Sequence, residues 1–218
     1  MTTLTIDVVS DVVCPWCFIG KRHLDQALQL WRAERPDSDV EVRWQPYFLN
    51  PDTPESGEPY RPFLEKKFGG PKQLEEIWQR VSEAGRKAGI EFAFEKIELR
   101  ANTLNAHRLI HHAQTGGGSA IEDLIEALFA AQFLEGRHIG DRAMLAAVAA
   151  ECGMDREAVQ RYLGSDEDAE EVRAAAAKMQ RMGISGVPFF IFNKRLAASG
   201  AQPPEALLKA MREAMQPA

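Results

Sequence analysis

Strand-forming sequence occurs at the two ends of this chain and not between them, and that division constrains the fold more than any other feature. Residues 4–9 alternate and are rich in β-branched side chains, and residues 40–47 (Val-Glu-Val-Arg-Trp-Gln-Pro-Tyr) alternate again, with Pro46 near the end. Between them Cys17, Gly20, Leu24, Ala27, Leu28 and Trp31 recur at helical spacing, with Lys21, Arg22, Asp25 and Gln29 on the other side. That helix has to stop before Pro36. Strand, helix, strand is a βαβ unit, for which a parallel pair and a right-handed crossover are expected. Strand character returns at residues 187–192 and 196–199, with Asn193-Lys194 as the turn. Pro203-Pro204 then starts a last helix with Leu207, Leu208, Met211 and Met215 on its apolar face. The order βαβ, helices, ββα predicts one α/β sheet domain interrupted by a helical insertion. The expected parts are residues 1–58 and 165–218 for the sheet domain and 59–164 for the insertion.

The middle of the chain is read from punctuation and period. Residues 50–62, rich in Pro, Asp, Ser and Gly, read as a loop. Helical patterns follow at 71–87, with Leu74, Ile77, Trp78 and Val81 on one face, at 102–112 with Asn102 able to cap, and at 121–134. Asp141 caps a helix running to Cys152, Asp155 opens a short one, and 166–182 is longer, ending at Gly183, which suits a left-handed cap. Gly116-Gly117-Gly118 reads as a turn and not as a phosphate loop, because no strand precedes it and no Lys-Ser/Thr follows. There is no internal repeat, and no linker that would separate independent domains.

With 45% hydrophobic and 27% charged residues among 218, the chain has the composition of an ordinary soluble globular protein, long enough to bury a core without staples. A net charge of -6, with no basic block, argues against nucleic acid or an anionic membrane as partner. The N-terminus lacks the charged start and apolar run of a signal peptide, and no run is long enough to span a bilayer, so a cytoplasmic protein is expected.

In a reducing compartment three cysteines do not make a disulfide scaffold, and Cys14-Pro15-Trp16-Cys17 at a strand-to-helix junction reads as a redox dithiol. Helical spacing puts Cys14 at the exposed edge of the first turn and Cys17 one turn inward. There the unpaired backbone N–H groups and the positive end of the helix dipole favour a thiolate on Cys14. Pro15 suits the first helical position. Half of a zinc site would need a second Cys or His pair at similar spacing, and no metal is expected. Asp11 would raise the Cys14 pKa if its carboxylate came close, whereas bonding to the loop backbone is the ordinary role of Asp in a turn. Cys152 shares a helical stripe with Leu145, Val148 and Ala149 and reads as a small buried hydrophobe. His107 and His111 have metal-ligand spacing but no acidic or thiol partner in sequence, so a packed or surface role is expected; His23 falls off the apolar face and reads as solvated.

Ser10-Asp11-Val12-Val13-Cys14-Pro15-Trp16-Cys17, Asn102-Thr103 with Ala106-His107-Arg108, Gly183-Ile184-Ser185-Gly186-Val187-Pro188-Phe189-Phe190 and Ser199-Gly200-Ala201-Gln202 carry a resemblance over nearly the whole chain. The sequence resembles the thioredoxin fold, more narrowly the DsbA-like oxidoreductases and their FrnE-like branch. It is also similar to 2-hydroxychromene-2-carboxylate isomerases and kappa-class glutathione transferases. The resemblance implies a thioredoxin fold with a helical insertion after the second strand, and a cis Val187-Pro188 bond facing the C-x-x-C. It leaves the Val187 backbone free to pair with an extended substrate. The implied catalytic residues are Cys14 as nucleophile, Cys17 as resolver and Pro188. Pro15, Trp16 and Val187 are the implied substrate contacts, with Asn102 and His107-Arg108 facing the site from the insertion. The implied activity is thiol-disulfide exchange or disulfide isomerisation through a mixed disulfide, without a cofactor, on disulfide-containing proteins or with glutathione as redox partner.

Two rivals are open. One is a glutathione-dependent isomerase or transferase acting on a small molecule, although such enzymes typically place serine where Cys14 stands. The other is a non-catalytic peptide-binding or chaperone module using an aromatic rim of Trp16, Phe18 and Phe189. The oligomeric state is not legible. Trp16 brings no charge to the Cys14 thiolate, unlike a histidine in that dipeptide, which predicts a couple less oxidising than DsbA. Equilibration in glutathione buffers is expected to place the potential below about -120 mV, and a value at or above that would refute the reading of Trp16.

Overall fold

The structure is a computed structural model and describes residues 3–116 and 121–216. In chain order it runs β1 (Leu4–Ser10), α1 (Pro15–Glu34), β2 (Val40–Pro46), β3 (Glu58–Pro59), α2 (Tyr60–Phe68), α3 (Pro71–Lys87), β4 (Leu99–Arg100), α4 (Leu104–Thr115) and α5 (Ile121–Ala130). α5 continues into a π-helical turn, Ala131–Glu135, followed by α6 (Arg142–Glu151), α7 (Arg156–Gly164), α8 (Ala169–Arg181), β5 (Phe189–Phe192), β6 (Leu196–Ser199) and α9 (Pro204–Ala214).

The two ends of the chain meet in one four-stranded sheet of order β2-β1-β5-β6. β1 and β2 are parallel, from Leu4 opposite Val40 to Ser10 opposite Pro46, as the βαβ pattern requires. β5 runs antiparallel to β1 and β6 antiparallel to β5. Their turn, Asn193-Lys194, has φ of 49° and 55°, the left-handed pair that matches the twist of a two-residue hairpin. This is the interrupted thioredoxin arrangement that the sequence implies. Leu4, Ile6 and Val8 point to the face covered by α1 and α9, where Leu24, Trp31, Leu207 and Met211 complete the main core. Val9 points the other way and packs with Tyr47, Met179 of α8 and Ile184. The alternation of β1 thus feeds two layers.

The inserted helices close on the sheet through aromatic packing. Phe18 of α1 is fully buried and stacks on Phe129 at 5.1 Å between centroids, with Phe92 edge-on at 6.2 Å. Phe94, Phe133 and Trp78 extend the cluster. Phe18 therefore belongs to the core and not to an exposed rim, because the insertion covers that side of α1. Lys21, expected on the polar side, is also buried, held by Asp25 at 2.9 Å and by Glu126 of α5 at 2.8 Å. The edge of β2 is met by α4: the Trp44 N–H donates to Gln114 Oε1 at 2.7 Å, and Gln114 Nε2 donates back to the Trp44 carbonyl at 3.4 Å.

Some elements differ from the sequence expectation. Strand pairing does occur inside the insertion, though only two residues deep, between β3 and β4. The loop expected to 62 ends earlier, since α2 starts at Tyr60. Pro62 sits in its first turn, where no intrahelical N–H bond is required of it. α1 starts at Pro15, and α8 starts at Ala169 after Asp168 in a left-handed conformation, φ 59°. Asp141 and Asp155 cap as expected, accepting from Met144 N at 2.7 Å and Ala158 N at 3.0 Å. Asn102 stands one residue ahead of the cap position of α4, yet its Oδ1 accepts from Leu104 N at 3.0 Å, and its amide donates to the Thr53 carbonyl. Of the three-glycine turn, Gly116 caps α4, and Gly117 and Gly118 lie outside the described residues. Among the described residues no helix is long and apolar enough to cross a membrane.

Removing the Phe18 ring takes away a fully buried aromatic that joins α1 to the insertion. Phe18→Ala is expected to cost about 3–5 kcal/mol of stability in urea unfolding, and a loss under about 1 kcal/mol would mean that this packing is not what binds the two parts.

Candidate active site

The two cysteines stand where β1 hands over to α1. Cys14 is the N-cap residue, with extended φ/ψ of -99° and 111°, and its carbonyl accepts from Cys17 N at 3.0 Å and Phe18 N at 3.3 Å. Pro15 takes the first helical position, and the first turn carries no acidic side chain. The positive end of a five-turn helix is therefore not neutralised by its own residues. Both thiols are free. Helical spacing alone puts Cys14 at an exposed edge, but it is only 5% exposed, against 1% for Cys17.

What covers Cys14 is the loop before β5. The Val187-Pro188 peptide is cis, and Cys14 Sγ lies 3.7 Å from the Val187 carbonyl oxygen. Pro188 packs directly on α1 at Gly20: a Cβ there would stand 2.8 Å from Pro188 Cγ, so any side chain would push the loop off the dithiol. On the far side the Pro188 carbonyl accepts from Gly200 N at 2.8 Å. His23, expected to be solvated, is half-buried and bonds the Gln202 carbonyl through Nδ1 at 2.9 Å, which ties α1 to the segment between β6 and α9 that also carries Gly200.

Beneath the loop lies Asp11, fully buried. Its carbonyl accepts from Cys14 N at 2.9 Å, and its carboxylate accepts from Leu49 N at 2.8 Å and faces His107 Nε2 at 3.3 Å. The turn role expected of Asp11 is present in its backbone bond, while the carboxylate binds the loop after β2 and the insertion. Cys17 is pushed well above the usual thiol range, first by burial and then by the neighbouring Cys14 sulfur, with the Asp11 backbone and the Ser10 hydroxyl acting against this. A thiol so placed holds its proton at neutral pH while its partner is free to react. Tyr60 also belongs here. Burial, and then the charge of Cys14, push its phenol up. No sequence signal points to Tyr60, because it lies in a segment that reads as loop.

The other expected residues divide. Trp16 is 38% exposed beside the dithiol, whereas Phe189 is half-buried. His107 is buried and turns to Asp11, while His111, one turn on, faces Asp168 at 4.0 Å and Glu171 at 3.9 Å. The acidic partners that the local sequence lacks come from the start of α8. Arg108 does not face the dithiol. It is 1% exposed and donates to the carbonyls of Tyr162, Ser165 and Glu167 and to Asn105 Oδ1, closing the turn between α7 and α8. Cys152 is half-buried and caps α6, because the helix ends one residue before it, and it is not part of the fully covered stripe.

Comparison with known proteins agrees with this geometry over the length of the chain. The family described as "DSBA-like thioredoxin domain" matches residues 5–212. Among solved structures, a probable DsbA oxidoreductase from Streptomyces coelicolor is 28% identical, with a TM-score of 0.87, covering 99% of this chain and 92% of that one. The cytosolic disulfide reductase DsbM from Pseudomonas aeruginosa, solved with GSH, is similar in fold at 19% identity and a TM-score of 0.69, covering 96% and 98%. The uncharacterized protein YwbO of Bacillus subtilis (strain 168) is 28% identical over 202 residues, covering 91% of this chain and 92% of its own.

Place in the exchange scheme sets Cys14 ahead of the more exposed Cys152, and burial sets Cys17 behind both. In timed alkylation followed by peptide mapping, Cys14 is expected to react first, Cys152 next and Cys17 last. Cys17 labelling as fast as Cys14 would contradict the protonated, enclosed thiol described above.

Proposed function

The chain belongs to the DSBA-like thioredoxin-domain family, and from that premise we propose that it exchanges thiols and disulfides through Cys14 and Cys17. One observation carries this reading: the Cys14 sulfur sits 3.7 Å from the carbonyl before cis Pro188, with a second, enclosed thiol one turn inside the helix. The Cys14 thiolate attacks one sulfur of a substrate disulfide. A Cys14–substrate disulfide forms, and the other substrate sulfur leaves as thiolate and takes up a proton. Cys17 then loses its proton and attacks Cys14 Sγ, closing the Cys14–Cys17 disulfide and releasing the second substrate thiol, two electrons having passed to the substrate. Two equivalents of an external thiol of the glutathione type restore the dithiol and leave joined as their own disulfide. If instead a different cysteine of the substrate attacks the substrate sulfur of the mixed disulfide, a new substrate disulfide forms, Cys14 leaves as thiolate, and the same site isomerises.

Each remaining residue has a role in this scheme. Pro15 starts the helix at whose N-terminus Cys14 stands, and exposed Trp16 supplies apolar surface beside it. Val187 presents main chain to an extended segment of substrate, in the manner of strand addition. Asn102 and His107 shape the floor of the groove from the insertion, His107 through Asp11. We place the protein in a reducing compartment, acting as a reductant or reshuffler of disulfides in proteins, with no bound cofactor. The glutathione-dependent reading on a small molecule is the second in rank. It is favoured by the likeness to DsbM, a disulfide reductase solved with GSH, and disfavoured by the presence of both cysteines. The chaperone reading loses one of its three rim aromatics to the core, namely Phe18.

Insulin-disulfide reduction with a small-thiol reductant is expected to be accelerated by the protein and to fall to the uncatalysed rate with Cys14→Ser, while Cys17→Ala accumulates mixed disulfides with protein partners. A Cys14→Ser rate equal to wild type would refute the proposal. Capture of glutathione alone by Cys17→Ala would transfer the dithiol to small-molecule chemistry.

A further inference from the structure

His111 is left over from the dithiol chemistry, and so are the two carboxylates it faces. His111 stands in α4; Asp168 immediately precedes α8 and Glu171 lies in its first turn. One ligand atom from each of the three lies within 4.8 Å of the others, Nε2 being 4.0 Å from Asp168 Oδ2 and 3.9 Å from Glu171 Oε2. Two negative charges thus converge on one imidazole, and among the described residues no lysine or arginine forms an ion pair with either carboxylate. As a simple ion pair the cluster is unbalanced. A protonated imidazole would offset one carboxylate and leave the other.

The cluster also has the supports of a metal site. The Tyr162 hydroxyl stands 2.9 Å from Asp168 Oδ2, the same oxygen that faces His111, and 3.1 Å from the Arg108 carbonyl, and so anchors that carboxylate to the turn. Tyr162 is itself buried, its ring stacked on His112 at 4.2 Å with the Arg108 guanidinium 5.0 Å from its centroid. A ligand carboxylate fixed by a packed hydrogen-bond donor is how proteins hold metal ligands in register. His111 and Glu171 line a cavity of about 220 Å³ shared with Ser10, Gln45 and Gln114, so a fourth coordination position would open on space that can hold a water. A tetrahedral ion roughly 2.1 Å from each donor sets donor separations of roughly 3.4 Å; the two imidazole–carboxylate spacings exceed this by about half an ångström, and the carboxylate oxygens, within 4.8 Å of each other, have up to about 1.4 Å to close. Glu171, 68% exposed, is free to make that shift.

We propose that His111, Asp168 and Glu171 form a binding site for a divalent transition-metal ion that clips α4 of the insertion to α8 on its way back to the sheet. One imidazole and two carboxylates suit Zn²⁺ and the neighbouring first-row ions better than soft Cu⁺, which calls for sulfur. None of the three ligands takes part in the exchange scheme, and the proposal does not depend on that activity.

The test uses Zn²⁺ alone, added to metal-stripped Cys14→Ser/Cys17→Ser protein so that the dithiol cannot chelate. Calorimetry is expected to show saturable binding of a single equivalent, weakened about tenfold or more by His111→Ala and by Glu171→Gln, and about 10–100-fold by Tyr162→Phe. In EDTA all the variants are expected to match the parent in circular dichroism, and Zn²⁺ should raise the melting temperature of the parent and not of His111→Ala. Absence of saturable binding, or binding unchanged in both His111→Ala and Glu171→Gln, would overturn the proposal.

Discussion

A carboxylate out of reach of water is the interaction on which the rest of this structure depends. Asp11 is buried just below the dithiol loop, and a buried carboxylate costs several kcal/mol unless its oxygens are satisfied. Leu49 N and His107 Nε2 are the groups that meet it, and they come from the loop after β2 and from α4. The same residue's carbonyl holds the Cys14 N–H. Satisfying one side chain thereby brings together three parts of the chain that have no local reason to meet: the strand end, the chain after β2 and the insertion. The position of the Cys14 sulfur under the Val187 carbonyl follows from that convergence.

Arg108 is the complementary case. A guanidinium with no carboxylate partner among the described residues is buried and made tolerable by main-chain carbonyls at the turn from α7 into α8. The insertion is thus held by polar contacts at two depths, Asp11 to α4 beneath the dithiol and Arg108 of α4 to the turn leading home, with the Phe18 cluster supplying the apolar contact on the other side. The inserted helices act as a second wall built onto the sheet and not as a separate body beside it.

How legible this was in the sequence depended on range. Patterns of short period read true: the alternation of β1 and β2, the apolar stripe of α1, the aspartate caps at Asp141 and Asp155, and the Asn193-Lys194 turn each record a local physical requirement. Pro188 was legible because a proline at a strand start has few roles, and its cis bond came from family resemblance. Features that depend on distant partners were not legible. Phe18 looks like a rim residue until the insertion is placed over it, and His23 looks solvated until Gln202 arrives from the far end of the chain. His111 lacks acidic partners in its own segment because they lie in α8, and α2 is hidden by a proline whose position in a first turn makes it harmless. Arg108 shows the same limit from the other direction, since its conspicuous position near the family motif gives no hint that its partners are carbonyls.

The pairing of Gln114 with Trp44 has a consequence for the life of the sheet outside the native monomer. A β-sheet grows into a fibre only if it offers two open edges, one for each neighbour. Here one amide side chain occupies the N–H and C=O of Trp44 on the β2 side and leaves β6 as the outermost open strand. Edge pairing of folded copies is therefore opposed at Trp44 of β2 and not along β6.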